Sequence, residues 1–426
     1  MKFNVIGITD RPQPFFPPEV LDIVSKGRVF SGGRRHHDIV ARLLPPGAVW
    51  IDITVPLEKV FEQYALLEES GQPITVFASG DPLFFGFANT IQREMPDAEI
   101  AVFPTFNSLQ MLAHRLLMPH HDMRIVSLTG RPWHEFDRAL IERVPKIGIL
   151  TDREHTPAAI ACRMADYGYN DYKIYVGEHL GHPHDEKVSV LSVDEAREIA
   201  FAQPNCVIAV SQSPFKRGTF GLPDTSFALL DGRERMITKM PVRLLTLQAL
   251  DLPRRQVLWD IGFCTGSVSI EARLQFPHLR IEAFEIRPEC EAIIRENARR
   301  HGAPGIGIHI GDFKTLPLPL PVREGSGHSL SGRKSNYSPP SQGGAGGEFP
   351  DAVFIGGHGG HLKAIMAKVL LYLRPGGVVV MNSVAASSRQ LFDEACRELH
   401  LHQHPATHIA LNDYNPIDIL KCELPS

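Results

Sequence analysis

The chain has 426 residues, more than one ordinary hydrophobic core holds, and its length predicts two domains. Its hydrophobic content of 43% and charged content of 22% are typical of a globular protein, and its net charge of −4 argues against a nucleic-acid-binding protein, which usually carries a strongly basic domain. We expect no signal peptide, because the start MKFNVIGITD has no apolar stretch long enough for one, and no membrane span, because no apolar run approaches the roughly 20 residues that crossing a membrane requires.

Short apolar runs in the first half predict strands, and helical patterns such as the one at 107–117 lie between them. The predicted strands are 3–8, 48–53, 74–79, 98–104, 123–128, 146–150 and 205–211. Strands that alternate with helices indicate an α/β fold with a largely parallel sheet. Turn residues at 220–227 close this half, and we place the domain boundary near residue 232, which gives predicted domains 1–231 and 232–426.

The second half repeats this rhythm and predicts another α/β domain. Its predicted strands are 257–262, 280–286, 307–313, 351–357, 377–383, 408–412 and 418–420. One segment breaks the pattern, because 325–347 contains seven Gly, six Ser and two Pro in 23 residues. Such a composition buries no core and predicts a flexible insertion, for which an expanded surface loop is favoured over a lid.

A glycine turn follows the first strand of the second half, within the sequence VLWDIGFCTGSVSIEA. A dinucleotide fingerprint would place glycines at positions 1, 3 and 6 of the turn. Counting from Gly262 as position 1, position 3 is Cys264 and position 6 is Ser267, so two of the three glycines are missing. Asp260, Gly262 and Gly266 fit instead an acid-x-G-x-G-x-G pattern, which resembles the class I S-adenosylmethionine (SAM) methyltransferases. Cys264 departs from that pattern, and a side chain there costs energy if the position needs a positive φ.

Three acids at predicted strand ends support a SAM site. Asp260 precedes the turn, Glu285 lies 23 residues after Gly262, and Asp312 ends the third strand. An acid at the Glu285 position accepts hydrogen bonds from ribose hydroxyls, and Asp312 is placed to accept one from the adenine amino group. An acid beside the turn suits the positive groups of SAM better than it suits a pyrophosphate.

Further motifs extend the resemblance to nearly the whole chain. The second half carries MITKMPVRLLTLQAL, WDIGFCTGSVSIEA and DAVFIGGHGGHL, which resemble precorrin methyltransferases that act on carbon 15 and decarboxylate. The first half carries SGGRRHH, ASGDPLFFG, PTFNSLQMLAHRL, SLTGR and GEHLG, which resemble tetrapyrrole methylases of the carbon-5 type. This order is similar to that of the fused, bifunctional methyltransferases of vitamin B12 synthesis.

The resemblance implies a tetrapyrrole methylase fold of two α/β subdomains, followed by a Rossmann-like class I methyltransferase. It also implies one SAM per half, methylation of precorrin carbons 5 and 15, and loss of carbon dioxide from the ring C acetate to give precorrin-8X. The implied partner is a polycarboxylate tetrapyrrole, and we expect a homo-oligomer without nucleic-acid, membrane or metal partners. The loop GITDRPQPF departs from the G-x-G-P-G-D of many tetrapyrrole methylases.

The resemblance also implies individual cofactor residues. In the first half they are Gly80, Asp81, Pro82, Phe84, Asn107, Ser108, Thr129 and Gly130. In the second half they are Asp260, Gly262, Cys264, Thr265, Gly266, Glu285 and Asp312.

Candidates for substrate contact are anion-binding and proton-transfer groups. Arg34 and Arg35 follow two glycines and suit a carboxylate, although a solvated basic turn explains them equally well; Arg131 and Arg243 are weaker candidates. A loop after a strand of the SAM fold holds Gly356, Gly357 and His358, and the histidine is a candidate for proton transfer or carboxylate binding. Asn382 is a second candidate catalytic residue, with a strand-end turn as the alternative.

Several other functions compete with this interpretation. An NAD(P)-dependent oxidoreductase conflicts with the failed glycine positions, and an RNA methyltransferase with an accessory domain conflicts with the acidic balance. Another small-molecule SAM methyltransferase, or a non-catalytic protein in which Cys264 blocks the second site, stays open. For the histidines at 400–404 and 179–184 a solvated surface is favoured over zinc, and six scattered cysteines without a C-x-x-C pair favour reduced thiols in the cytoplasm.

Overall fold

The structure is a computed structural model, and it describes residues 1–68, 71–214, 218–317, 349–412 and 415–425. The predicted insertion at 325–347 lies outside the described residues. The chain divides into two compact units, of which unit 1 comprises Met1–Arg131, Pro145–Arg163 and Asn170–Ser213, and unit 2 comprises Pro132–Val144, Met164–Tyr169 and Pro214–Ser426. The main segment of unit 2 starts ahead of residue 232, and the predicted domain boundary stays a prediction.

Helices connect the strands in both units. In chain order they are α1 (Pro18–Lys26), α2 (Arg34–Val40), α3 (Glu58–Leu66), α4 (Phe87–Glu94), α5 (Ser108–Arg115), α6 (His134–Ile141), α7 (Pro157–Asp166), α8 (Val193–Arg197), α9 (Met240–Ala249), α10 (Ser267–Gln275), α11 (Glu289–His301), α12 (Leu362–Leu370) and α13 (Ala386–Glu398).

Unit 1 contains two five-stranded sheets. The first has the order β3-β2-β4-β1-β5 and is parallel throughout, as predicted. Its strands are β1 (Lys2–Ile8), β2 (Val29–Gly32), β3 (Val49–Asp52), β4 (Ile74–Ser79) and β5 (Glu99–Phe103). Buried apolar side chains on several of these strands, with helices packed against them, form the core of this sheet.

The second sheet of unit 1 corrects the prediction of a largely parallel arrangement. Its strands are β6 (Arg124–Ser127), β7 (Lys146–Leu150), β8 (Tyr172–Glu178), β9 (Lys187–Ser192) and β10 (Asn205–Ser211), in the order β6-β7-β10-β8-β9. Only β6 and β7 are parallel, and the other pairs are antiparallel. The physical reason is the short segment between β8 and β9, which leaves no room for the crossover that a parallel pair needs.

Unit 2 contains one large sheet, and every strand predicted for the second half is present. The strands are β11 (Val257–Ile261), β12 (Arg280–Glu285), β13 (Ile306–Ile310), β14 (Ala352–Ile355), β15 (Val378–Ser383), β16 (His402–Gln403), β17 (Thr407–Ile409) and β18 (Ile417–Glu423). The order is β13-β12-β11-β14-β15-β18-β16, with β17 paired to β18; the first five strands are parallel and β18 is antiparallel.

The strand order of this sheet predicts where a ligand binds. The strand order reverses between β11 and β14, and ligands of open α/β sheets bind outside the carboxyl ends of the strands at such a switch point. The central strand β11 is buried along its whole length, which explains its nearly continuous apolar run. Within the described ranges no helix is long and apolar enough to cross a membrane.

Candidate functional site

A cavity of about 1180 Å³ opens at the carboxyl ends of the parallel strands of unit 2. It brings together nearly all of the site residues predicted in the second half. These are Asp260, Gly262, Cys264, Thr265, Glu285, Asp312, Gly356, Gly357, His358 and Asn382. They come from the ends of β11 to β15, so the cavity lies where the topology predicts a ligand.

The turn from β11 into α10 depends on its glycines. Gly262 has φ +79°, and a Cβ added there would lie 2.7 Å from the backbone nitrogen of Gly357. Gly266 has φ +74°, and a Cβ there would lie 2.3 Å from Cγ1 of Ile294. Any side chain at either position would push apart the turn and its neighbours, so the two glycines are needed for close backbone packing.

Cys264 adopts the positive φ that its position in the motif led us to suspect, with a value of +49°. Its side chain packs in an apolar cluster that includes Phe263, Ala283 and Cys290, and burial raises the pKa of its thiol. Its backbone N–H donates to Oε2 of Glu285 at 3.0 Å. The left-handed backbone costs about 1 kcal/mol, and burial of the sulfur offsets part of that cost.

We therefore expect Cys264→Gly to change SAM affinity by no more than a few-fold. Glycine relaxes the backbone strain but leaves the N–H that bonds Glu285 in place, and it removes a side chain that packs away in the cluster. Titration calorimetry of the full chain with SAM measures the effect. Much tighter binding by the glycine variant would instead mean that the cysteine obstructs the site.

Asp260 is buried at the end of β11, with 1% of its surface exposed. Its Oδ2 accepts a hydrogen bond of 2.6 Å from Oγ of Ser269, while its Oδ1 is buried without a hydrogen-bond partner. Burial raises the pKa of Asp260 to about 7, although the bond from Ser269 opposes the rise. A buried acceptor without a partner is costly, and a donor or cation from a ligand would satisfy it.

Glu285, at the end of β12, is buried and makes several hydrogen bonds. Arg287 donates two hydrogen bonds to its carboxylate, from Nε to Oε1 at 3.0 Å and from Nη2 to Oε2 at 2.8 Å. Burial alone would raise the pKa of Glu285, but the hydrogen bonds and charge of Arg287, together with the Cys264 N–H, hold it below the usual range. The carboxylate is therefore ionised and fixed in orientation at the edge of the cavity.

Asp312 lies just after β13 at the rim of the cavity. Its Oδ1 accepts from the backbone N–H of Lys314 at 3.0 Å, and its Oδ2 lies 3.3 Å from Nζ of Lys314. These contacts hold the pKa of Asp312 below its ordinary value, with the backbone hydrogen bond as the largest cause. The side chain is about one-third exposed, so it stays accessible to a ligand.

The loop after β14 also lines the cavity, next to the turn at Gly262. A Cβ added to Gly357 would meet nothing within 4 Å, so a ligand has space to approach this backbone. Nδ1 of His358 accepts the N–H of Gly360 at 3.2 Å, which places the proton of the neutral ring on Nε2, 3.2 Å from Oγ of Ser388. Burial and then the charge of His361 lower the pKa of His358, so the ring is neutral at pH 7.

Two further sequence candidates differ in their placement. Asn382 lines the cavity at the end of β15, and its side-chain amide bonds the hydroxyl of Thr246. Arg243 is fully buried, pairs with Glu271 at 3.2 Å and donates to the carbonyl of Leu222. Because the guanidinium N–H groups already bond acceptors within unit 2, Arg243 has a structural role, which corrects our suggestion that it binds substrate.

Sequence reasoning missed a set of basic side chains along the cavity. They are Arg235, Lys239, Arg287, Lys314 and His361. Arg287 and Lys314 each follow a predicted acid by two residues, and this shared spacing is the signal that could have identified them. Arginine and lysine side chains suit a ligand with carboxylates, and Arg287 and Lys314 also pair with Glu285 and Asp312.

In unit 1 the residues predicted just after β4 lie against the start of α5. Gly80 has φ +64°, and a Cβ there would lie 2.7 Å from Cα of Asn107. Asp81 accepts the backbone N–H of Leu83 at 2.9 Å, Pro82 is buried, and Phe84 packs against an apolar cluster. The turn GDPLFFG is therefore packed against the start of α5.

The other predicted cofactor residues of unit 1 carry local bonds. Asn107 caps α5, with its side chain accepting from Gln110 and its N–H donating back to Gln110, while Ser108 begins that helix. Thr129 Oγ1 donates to the carbonyl of Thr151, and Gly130, with φ +62°, donates its N–H to Asp152. Whether these residues hold a cofactor stays a prediction.

Arg34 and Arg35 lie in the first turn of α2 and not in a loop, which corrects our expectation. Gly33 adopts an extended conformation that lets the helix begin at Arg34. Arg35 donates to Asp10 at 2.8 Å and to Ser79 at 2.8 Å. Arg131, a weaker candidate, donates to Ser127 and lies over the ring of Phe85.

The histidine-rich segment at 400–404 is only partly a strand. Of 400–404, only His402–Gln403 forms a strand, and His400 has φ +56°, so the three histidines do not share one strand face. The rings of His402 and His404 pack edge to face at 4.9 Å. Across the described part of the chain, no group of three or more His, Cys, Asp or Glu side chains is placed to hold a metal.

Comparison with known proteins matches both halves of the chain. The model of the tetrapyrrole (corrin/porphyrin) methylases matches residues 17–197, and that of the precorrin methyltransferase domain matches residues 231–322. A precorrin-6Y C(5,15)-methyltransferase [decarboxylating] from Sinorhizobium sp. is 29% identical over 89% of this chain and 84% of its own length. A cobalt-precorrin-6B C(15)-methyltransferase (decarboxylating) from Salmonella typhi is 32% identical over 46% of this chain and 92% of its own length.

A similar solved structure is titled precorrin-6y C5,15-methyltransferase and comes from Geobacter metallireducens. It is 28% identical, covers 49% of this chain and 98% of its own, and superposes with a TM-score of 0.38.

Proposed function

The chain belongs to the precorrin-6Y C(5,15)-methyltransferase (decarboxylating) family, and from this membership we propose its reaction. It is a bifunctional SAM-dependent C-methyltransferase of cobalamin biosynthesis. It methylates carbons 5 and 15 of precorrin-6Y or of the cobalt form, and it removes carbon dioxide from the ring C acetate to give precorrin-8X.

One observation supports this function most strongly: three acids from three adjacent strand ends line a single cavity. Asp260, Glu285 and Asp312 come from β11, β12 and β13. The buried Oδ1 of Asp260 has no hydrogen-bond partner, and the Glu285 carboxylate is held ionised. These groups fit the positive charges, the ribose hydroxyls and the adenine amino group of SAM, which supplies the methyl group when bound.

The chain's own residues position the reactants. The turn at 262–266 brings the backbone close to the ligand, and Glu285 orients the ribose. Neutral His358 offers the Nε2 proton, and Asn382 and the bare backbone of Gly356 and Gly357 line the same cavity and are assigned to the substrate. The basic side chains along the same cavity supply the charge that a polycarboxylate tetrapyrrole requires.

We assign one SAM site to each half. The residues around Gly80, Asp81 and Asn107 form the first, in domain 1–231, which methylates carbon 5. The cavity of unit 2 forms the second, in domain 232–426, which methylates carbon 15 and decarboxylates. The cytoplasmic location and the homo-oligomer stay predictions.

The test is incubation of the full chain with precorrin-6Y, or with its cobalt form, and SAM. Mass spectrometry is expected to show a product that has gained two methyl groups and lost one carbon dioxide. Calorimetry with SAM alone is expected to give two sites per chain. Absence of methyl transfer to both forms of the substrate would contradict the proposed function.

A further inference from the structure

A carboxylate and an imidazole that lie 169 residues apart in the sequence meet in unit 1. Asp10 follows β1 and His179 follows β8, and Nδ1 of His179 lies 3.1 Å from Oδ2 of Asp10. The Asp10 side chain is 11% exposed and that of His179 is 26% exposed. The pair therefore combines a largely buried acid with an imidazole that stays accessible.

Surrounding groups fix the carboxylate. Its other oxygen, Oδ1, accepts from Nη1 of Arg35 at 2.8 Å, and the same guanidinium donates through Nη2 to Oγ of Ser79. His36 also contacts Oγ of Ser79, and burial followed by the charge of Arg35 lowers the pKa of His36 to about 4. Arg35 is thus the cation of this cluster, and its bond to Oδ1 fixes the Asp10 carboxylate in an orientation that places Oδ2 beside His179.

The contacts define which nitrogen of His179 is basic. Nδ1 faces a carboxylate and therefore carries the proton of the neutral ring. Nε2 has no hydrogen-bond partner among the residues that the structure describes. A carboxylate that bonds one ring nitrogen and leaves the other able to take a proton is the arrangement of general bases in many enzymes.

The pair lies next to the predicted SAM site of the first half. β1 and β4 are neighbouring parallel strands, and the carbonyl of Ile8 accepts the N–H of Gly80 at 2.8 Å. Ser79, which binds Arg35, directly precedes the Gly80-Asp81-Pro82 turn. On the other side, a Cβ added to Gly181 would lie 3.6 Å from Cβ of Thr9, so the loop carrying His179 packs against the segment carrying Asp10.

We propose that His179, positioned by Asp10, is the base that accepts the proton released in methylation at carbon 5. This inference rests on the proposed function. In the net step the ring carbon exchanges a hydrogen for a methyl group: a carbon–carbon bond forms, the methyl–sulfur bond breaks with its electrons going to sulfur, and the carbon–hydrogen pair returns to the ring. One proton is left over, and Nε2 of His179 takes it. Arg35 then acts through Asp10 and is a positioning residue.

The first test uses the two methylations of the same chain as internal references. His179→Asn is expected to reduce methylation at carbon 5 by about 100-fold or more, which is the usual contribution of a general base. Methylation and decarboxylation at carbon 15 should stay at the wild-type rate. Asparagine is chosen because His179 has φ +48°, a conformation that asparagine tolerates well.

The matched control is His184→Asn in the same loop, where the side chain is exposed and its ring lies 6.3 Å from the ring of His182. It should leave both methylations unchanged. If His179→Asn keeps methylation at carbon 5 within a few-fold of wild type, the inference is wrong. If the wild-type chain methylates neither carbon, the proposed function itself fails, so the two failures are distinguishable.

The second test needs no substrate or SAM. In nitrogen-15 spectra of the resting protein, the signals that disappear in His179→Asn belong to His179, and they should show a protonated Nδ1 and a bare Nε2. Asp10→Asn should turn this single tautomer into a mixture and should lower methylation at carbon 5. A tautomer unchanged by Asp10→Asn would contradict the role given to Asp10.

Discussion

Glu285→Gln is expected to weaken SAM binding to the second half and, with it, to lower methylation at carbon 15. The carboxylate offers two acceptor oxygens at the end of β12, and glutamine retains one of them. A hydrogen bond to a charged group contributes about 1.5–3 kcal/mol, so affinity should fall by between about 10-fold and about 100-fold. Titration calorimetry of the full chain should then report one SAM site of wild-type affinity and one site weakened by this factor.

The control for this variant is Glu282→Gln on the same strand. Glu282 bonds His309 at 2.6 Å and does not line the cavity. That variant should retain both SAM sites and both methylations. Methylation at carbon 5 should persist in Glu285→Gln, because the first site lies in unit 1. An unchanged SAM stoichiometry and affinity in Glu285→Gln would contradict the assignment of Glu285 to the ribose.

The strand ends of unit 2 were predictable because local sequence determines them. Buried parallel strands produce continuous apolar runs, and the residue that ends such a run lies at the carboxyl edge of the sheet. Asp260, Glu285 and Asp312 could therefore be placed on one edge without knowledge of the fold. The positive φ of Cys264 was predictable for a similar reason, since the turn motif demands a glycine-like backbone there.

Other features depend on contacts between residues far apart in the sequence, which no local pattern encodes. The antiparallel pairing of β10 with β7 and β8 gives no local signal that separates it from a parallel pair. The bond between Asp10 and His179 crosses 169 residues. An arginine such as Arg243 suits a carboxylate substrate by its chemistry. Its buried ion pair with Glu271 makes it structural instead, and the sequence does not show that pair.

Asp260→Asn is expected to stabilise the ligand-free protein at pH above 7 while weakening SAM binding. The reason is the buried carboxyl of Asp260, whose pKa burial raises from 3.8 to about 7. Between about pH 4 and about pH 7 the folded state binds more protons than the unfolded state, so wild-type stability falls as the pH rises through this range. Each pKa unit corresponds to about 1.4 kcal/mol, so the loss reaches as much as about 4 kcal/mol, and the asparagine variant should escape it.

Denaturant unfolding at pH 5 and pH 8 measures this effect, with the fluorescence of buried Trp259, the neighbour of Asp260 on β11, as the probe. The wild type should lose stability between the two pH values, and Asp260→Asn should lose much less. Asp312→Asn is the control, because the pKa of Asp312 is held below its ordinary value and its stability contribution does not fall as the pH rises.

The ligand-free protein favours the protonated form of Asp260, whereas SAM binding should favour the ionised form, because SAM carries positive charge. SAM binding to the wild type at pH 7 should therefore release a fraction of one proton from the second site, which calorimetry in buffers of different ionisation enthalpy detects. Asp260→Asn should release none there and should bind SAM more weakly. The Asp260 carboxylate therefore destabilises the ligand-free protein but, once ionised, attracts the sulfonium of SAM. Equal SAM affinity in the wild type and in Asp260→Asn would exclude this role of Asp260.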